Sequence, residues 1–198
     1  GAQHFVQKLH FVVQHRVMGK QRRVSIGRYG RPGAGDDHAD RWTVARARKE
    51  AMRLLESADP YQRQLGFLRL EALREASTVD TITRYLDSPD VETRAYSLRA
   101  LAAIEGVAAI PLLLERLRQD RDPRVRRAAL LGLEPFQPSR PEILPAFIKV
   151  LRDRSTEVRM AAVDVVSRID DPRAREAILM RNKRERRKDV RRVLKLAL

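Results

Sequence analysis

Five arginines recur along the chain at near-constant spacing: Arg63, Arg94, Arg126, Arg159 and Arg191, separated by 31, 32, 33 and 32 residues. A guanidinium keeps its charge and presents a planar fork of donors, so it either grips phosphates or bridges carboxylates and carbonyls. Both readings apply here. In one, the five arginines form a ladder of phosphate contacts. In the other, each bridges to the helix-start carboxylate of its own or the neighbouring repeat, and an acid does accompany each copy: Asp59, Asp90, Asp122, Glu157 and Asp189. That company favours the second reading.

A separate set of cations sits at the two ends of the chain. The net charge is +15. Residues 1–35 hold seven Lys/Arg and no acid, residues 173–198 hold eleven against three, and residues 36–172 hold 23 of each. Clustered positive charge attracts polyanions, of which nucleic acid is the commonest; a solvated basic tail or an anionic membrane surface are the alternatives. The candidate nucleic-acid contacts are Arg16, Lys20, Arg22, Arg23 and Arg28 near the start, and Arg152, Arg181, Lys183, Arg184, Arg186, Arg187 and Lys188 near the end. Nothing in the run from Arg181 to Lys188 can read bases, so it would position rather than specify.

The arginines belong to a longer repeated phrase, Val125-Arg126-x-x-Ala129-x-x-Gly132-Leu133, echoed around Arg63, Arg94, Arg159 and Arg191. A fixed period in this range implies stacked helix pairs, because one pair cannot bury its apolar face alone. The preceding acids, and Pro60 and Pro123 beside them, are helix-start chemistry: a carboxylate accepts free N–H groups and proline suits the first turn. The expected first helices run from Tyr61 to Glu75, Asp90 to Ile104, Pro123 to Leu133, Glu157 to Ile169 and Asp189 to Leu198. The expected second helices run over Val79 to Leu86, Ala108 to Gln119, Arg140 to Arg152 and Arg173 to about Arg186. The second helices are expected to line a concave face carrying Arg84, Arg116, Arg118, Lys149, Arg152, Arg175, Arg181 and Lys183.

The first 58 residues read differently. Phe11 to Val17 is β-branched, Gly19 marks a turn, and Arg23 to Gly27 alternates, which predicts a hairpin. Trp42 to Leu55 then predicts an amphipathic helix with Thr43 as its N-cap. The fold class expected is therefore mainly α: an α-solenoid of about four and a half helix pairs over residues 59–198, preceded over 1–58 by a small α+β module of hairpin plus helix.

Two resemblances follow from these residues. The phrase best seen from Asp122 to Leu133 resembles the short HEAT-like repeats, which implies their solenoid fold and partner-binding role. The run from Phe11 to Gly30, with Trp42 to Leu55 and Asp59-Pro60 after it, resembles the arm-type DNA-binding domain of phage-type tyrosine recombinases (integrases). That resemblance implies a small sheet lying in the DNA groove, with Arg16, Lys20, Arg22, Arg23 and Arg28 as contacts. The recombinase catalytic domain is absent, so it implies DNA affinity and not strand exchange. The Gly30 to Arg41 loop is longer and more acidic than the pattern requires.

Other chemistry is not signalled. No cysteine is present, so disulfides and thiolate metal sites are excluded. The histidines, His4, His10, His15 and His38, lack metal-ligand company, and the glycines from Gly30 to Gly35 lack a phosphate-loop ending. The apolar run from Val107 to Leu114 is too short to span a bilayer, and the start, without Met, shows no secretory segment. The expectation is a cytoplasmic, nucleoid-associated, non-enzymatic accessory protein without cofactor, metal, membrane or small-molecule substrate. It would bind duplex DNA through the ribbon and the basic end of the solenoid. The alternative is a protein-interaction scaffold holding an acidic partner on the concave face.

Overall fold

A computed structural model describes residues 10–17, 20–28 and 44–198. They divide into two compact units that part between Leu73 and Arg74.

In the first unit the backbone of β1 (His10–Val17) runs antiparallel to β2 (Lys20–Arg28), with an irregular register between His10 and Val12. Helix α1 (Val44–Leu55) buries Ala47, Ala51, Leu54 and Leu55, a single stripe at helical spacing. It lies along α2 (Pro60–Leu73), which buries Gly66, Phe67, Leu68 and Leu70. The expectation of a separate hairpin-plus-helix module is corrected here. Helix α1 has its packing partner in α2, so it is the first member of a helix pair. Its expected cap, Thr43, lies outside the described residues.

The second unit is helical throughout. It contains α3 (Val79–Thr83), α4 (Val91–Glu105), α5 (Ile110–Gln119), α6 (Pro123–Leu133), α7 (Leu144–Val150), α8 (Thr156–Ser167), α9 (Pro172–Arg184) and α10 (Lys188–Leu196). The first helices of successive pairs, α4, α6, α8 and α10, pack side by side, each on the next. The second helices flank them, with α5 on α6, α7 on α8, and α9 against α7, α8 and α10.

Local chemistry sets the breaks. Asp90, Asp122 and Asp171 accept N–H groups of Thr93, Arg124 and Arg173, so each carboxylate starts a helix. Gly106, at φ +58°, turns the chain out of α4. The apolar stretch Val91–Gln119 is thereby two helices rather than one, and its Leu98, Leu101 and Leu113 are buried. Two expected spans shrink. The one from Val79 to Leu86 is helical only to Thr83, and the one from Arg140 to Arg152 only from Leu144. Pro135, Pro138 and Pro141 cause the second loss: without N–H donors the chain takes 3-10 turns over Glu134–Ser139 and Pro141–Ile143 instead. The core is mostly aliphatic, with Leu130, Leu133, Leu144, Val166, Ile178 and Leu194, and the aromatic Phe147, essentially removed from water.

Glycine matters most where α1 and α2 touch. A Cβ on Gly66 would stand 2.9 Å from the Ala51 carbonyl oxygen and 2.8 Å from Leu55 Cδ2, closer than packed atoms allow. On Gly132 it would meet only side-chain atoms, the nearest Leu113 Cδ2 at 3.0 Å. Gly66→Ala is therefore expected to cost about 1–3 kcal/mol by overpacking, and Gly132→Ala less. Chemical denaturation of the two variants checks this; an equal loss would show that the backbone approach at Gly66 does not matter.

Candidate functional site

The recurring arginines are mostly inside. Arg94, Arg126 and Arg159 are 4%, 3% and 7% exposed, which removes them as phosphate contacts. A buried guanidinium needs its donors filled, and these use the same partners in each repeat. Nη1 of Arg126 donates to the carbonyls of Asp120 and Arg121, at 3.0 and 3.1 Å. Nη1 of Arg94 reaches Ser88 and Pro89, that of Arg159 reaches Asp153 and Arg154, and in the first unit that of Arg63 reaches Ser57 and Ala58. Arg191 donates Nε and Nη2 to the Glu185 carbonyl. These carbonyls lie just past the C-terminal end of the preceding helix, where orphan oxygens and the helix dipole favour a cation.

In Arg94, Arg126 and Arg159 the rest of the fork points forward to the next repeat. Arg126 meets Asp153 with two bonds, Nη2–Oδ1 at 2.7 Å and Nε–Oδ2 at 2.8 Å. Arg159 meets Glu185 with Nε at 3.0 Å and Nη2 at 3.4 Å, and Arg94 lies 3.5 Å from Asp120. The bridging acids are thus Asp120, Asp153 and Glu185, six residues before the next arginine, and not the helix-start carboxylates. Of those carboxylates, Asp59, Asp90 and Asp122 accept N–H groups at the start of their own helices, while Glu157 and Asp189 lie within the first turns of α8 and α10. The signal was present in sequence, since positions 57, 88, 120, 153 and 185 hold Ser, Ser, Asp, Asp and Glu. Each of the five side chains also accepts the N–H two residues on, which fixes the turn.

Glu185 is the most heavily engaged. It is 2% exposed and accepts from Arg159, from Arg181, and from the N–H groups of Arg186 and Arg187. Burial raises its pKa, but the Arg187 N–H and the two guanidiniums outweigh this and bring it down to about 2. Burial likewise opposes ionisation of Asp153, and Arg126 with the Ser155 N–H holds its carboxyl below the ordinary range.

The other candidate residues fall in two places. Arg16 lies on β1 and Lys20, Arg22, Arg23 and Arg28 on β2, where the register sets Arg16 opposite Gln21 and Arg22 opposite His15; their side chains lie outside the described residues. Lys183, Arg184, Arg186, Arg187 and Lys188 gather exposed around the turn from α9 to α10, with Arg181 half-buried on Glu185. Arg152 is exposed after α7 and faces a groove between α7 and α9 of about 290 Å³. Ile148, Leu151, Ala177 and Met180 form the apolar part of its lining, and Arg152, Arg173, Arg181, Arg184 and Glu176 the charged part. Of these, Arg173 pairs with Asp171 at 2.7 Å and Arg181 with Glu185, whereas Arg152 and Arg184 carry no ion pair among the described residues.

Comparison with known proteins bears on what this surface meets. The HEAT-repeat family model matches residues 49–134 and 110–198, beginning inside α1. A phycobilisome maturation protein of Synechococcus elongatus is 50% identical over 52 residues, which are 26% of this chain and 25% of that protein. The match thus spans a quarter of the relative's length. Among solved structures, the complex of CpcE and CpcF of phycocyanin lyase from Nostoc sp. PCC7120 has a TM-score of 0.59 at 24% identity, covering 77% of this chain and 98% of that one. A designed armadillo repeat protein bound to the peptide (KR)4 has a TM-score of 0.53 at 16% identity, covering 76% and 80%. At these identities the two structures show the fold alone.

These findings correct the sequence reading. The fold class is corrected to the HEAT-like helical solenoid of the neighbours, which lend no support to a separate α+β module. The integrase resemblance draws no support from them. The reading as a non-enzymatic duplex-DNA binder is corrected, because the similar proteins are a phycobilisome maturation protein and a phycocyanin lyase complex of two protein chains; they do not support nucleoid association.

The ladder itself is testable. Arg126→Met leaves Asp153 charged and without its main partner, so a loss of about 3–5 kcal/mol is expected in urea unfolding, with Arg126→Lys recovering only part. Glu185 has its folded pKa below the unfolded value of 4.5. Its contribution is therefore complete above about pH 4.5 and lost as pH falls towards 2, and Glu185→Gln should flatten the fall of the thermal midpoint across that window. A wild-type midpoint as flat as the variant's would exclude the carboxylate as the cause. Repeat period, stacked helix pairs and family match over residues 49–198 agree, and the chain belongs to the HEAT-repeat family.

Proposed function

We propose that this chain is a protein-binding HEAT subunit in phycobilisome maturation, with a phycobiliprotein as client and a lyase-type assembly as its setting. The 50% identity over 52 residues to a phycobilisome maturation protein carries the reading. The solved CpcE–CpcF complex, similar in fold, is an assembly of two protein chains, which supports a role built on protein contacts.

The surface suits that role. Buried arginines are consumed by the fold, so binding falls to what remains outside. On α9 the large apolar side chains Leu179 and Met180 are 43% and 45% exposed, beside the basic last turn Arg181, Lys183 and Arg184. Apolar area with surrounding charge is the usual anatomy of a protein–protein interface, and the excess of cations selects an acidic partner. The cytoplasm, where phycobiliproteins would be met, replaces the nucleoid as the place of action.

Mixing the purified chain with phycocyanin tests the proposal. A complex of fixed stoichiometry is expected in size-exclusion chromatography at a salt concentration that abolishes retention of duplex DNA, since counterion release makes DNA binding steeply salt-dependent. No complex with phycocyanin or its separated subunits would overturn the assignment.

A further inference from the structure

The groove between α7 and α9 sets its charges around an apolar floor. Leu151 is buried at the bottom, Ile148 and Ala177 are half-buried on the walls, and Met180 is exposed at the edge. Methionine is unbranched and polarisable and adapts to different apolar occupants. The four guanidiniums in the lining are not equivalent. Arg173 and Arg181 have their charges matched by Asp171 and Glu185, and their place is fixed by those bonds. Arg152 and Arg184 have no such partner among the described residues, and Glu176 is the one acid in the lining. Arg181 also keeps a buried Nε without an acceptor.

Two kinds of polyanion could be drawn to such a place. A nucleic-acid backbone would use the arginines and gain nothing from Ile148, Leu151, Ala177 and Met180. An acidic polypeptide carrying an apolar side chain uses both. Helix α9 ends at this groove, and its last turn adds the negative end of a helix dipole, which its own Arg181, Lys183 and Arg184 already offset.

We propose that the α7–α9 groove receives an acidic peptide segment of a protein partner, with one large aliphatic or aromatic side chain on the apolar floor and flanking carboxylates on Arg152 and Arg184. The inference rests on the protein-binding reading above and names the chemistry of what is bound. The apolar anchor contributes affinity by burial, and the two arginines set register and orientation. Specificity then requires the anchor and the acids together, so neither a plain acidic tail nor an apolar helix suffices.

The probe is a fluorescein-labelled synthetic peptide of Glu and Asp with a single central Leu, followed by anisotropy. Replacing the Leu with Ala is expected to weaken binding by about tenfold, the scale of one buried anchor. The double variant Arg152→Glu with Arg184→Glu is expected to weaken it by at least about tenfold, while Arg127→Glu, exposed on α6, changes it less than about twofold. Circular dichroism of each variant verifies the fold. Equal affinity for the Leu and Ala peptides, an unchanged affinity in the double variant, or equal competition by short duplex DNA would each overturn the proposal. The peptide assay contains no phycobiliprotein, so its failure and a failure to bind phycocyanin are separate results.

Discussion

A guanidinium enclosed by two carbonyls behind and one carboxylate ahead is the interaction on which this fold depends. Each such arginine closes the end of one helix, lies in the first helix of its own repeat, and reaches the turn that begins the next. Helix ends are where a solenoid is weakest, since they hold unpaired oxygens between layers of apolar packing. Placing a cation there answers the unpaired oxygens and joins neighbouring repeats with the same side chain. The buried apolar side chains, Leu98, Leu130, Leu133 and Val166 among them, provide most of the driving force, which is itself non-directional. The arginines add direction, because a one-residue slip would strand a charge away from water.

The same interaction explains what the outside of the molecule can do. Charges that pair internally, at Arg94, Arg126 and Arg159, are withdrawn from solvent and leave binding to others. One group of exposed cations lies near the end of α9 and around Arg152, close to Leu179, Met180 and the α7–α9 groove. That surface combines apolar area with positive charge, the combination on which the proposed protein-binding role rests.

Much of the helical array was readable from the residues alone. The 31- to 33-residue period, the aspartates before α2, α4 and α6 and the prolines at helix starts placed most of the breaks. The shortened α7 was less legible, because Pro135, Pro138 and Pro141 act together over a stretch whose apolar spacing still looks helical. Pairing of the arginines was half legible. Proximity in sequence drew attention to Asp90 and Asp122, while the true acceptors, Asp120 and Asp153, lie 26 and 27 residues beyond their arginines. Contacts across a repeat are invisible to local spacing, and only the stacked backbone reveals them. Net charge misled most. A value of +15 states how strongly a polyanion is attracted, and says nothing of whether that polyanion is a nucleic acid or an acidic protein.

The rungs of the second unit are also unequal. Arg94 touches Asp120 at 3.5 Å and leaves Nη2 buried and unfilled, Arg126 grips Asp153 with both arms, and Glu185 is held by Arg159 and Arg181 together. The polar link between neighbouring repeats is therefore single at Arg94, two-armed at Arg126 and shared by two arginines at Glu185. The groove beside α9 borders the last of these, so Arg181 in its wall is anchored by the same carboxylate that ties α8 to the turn before α10.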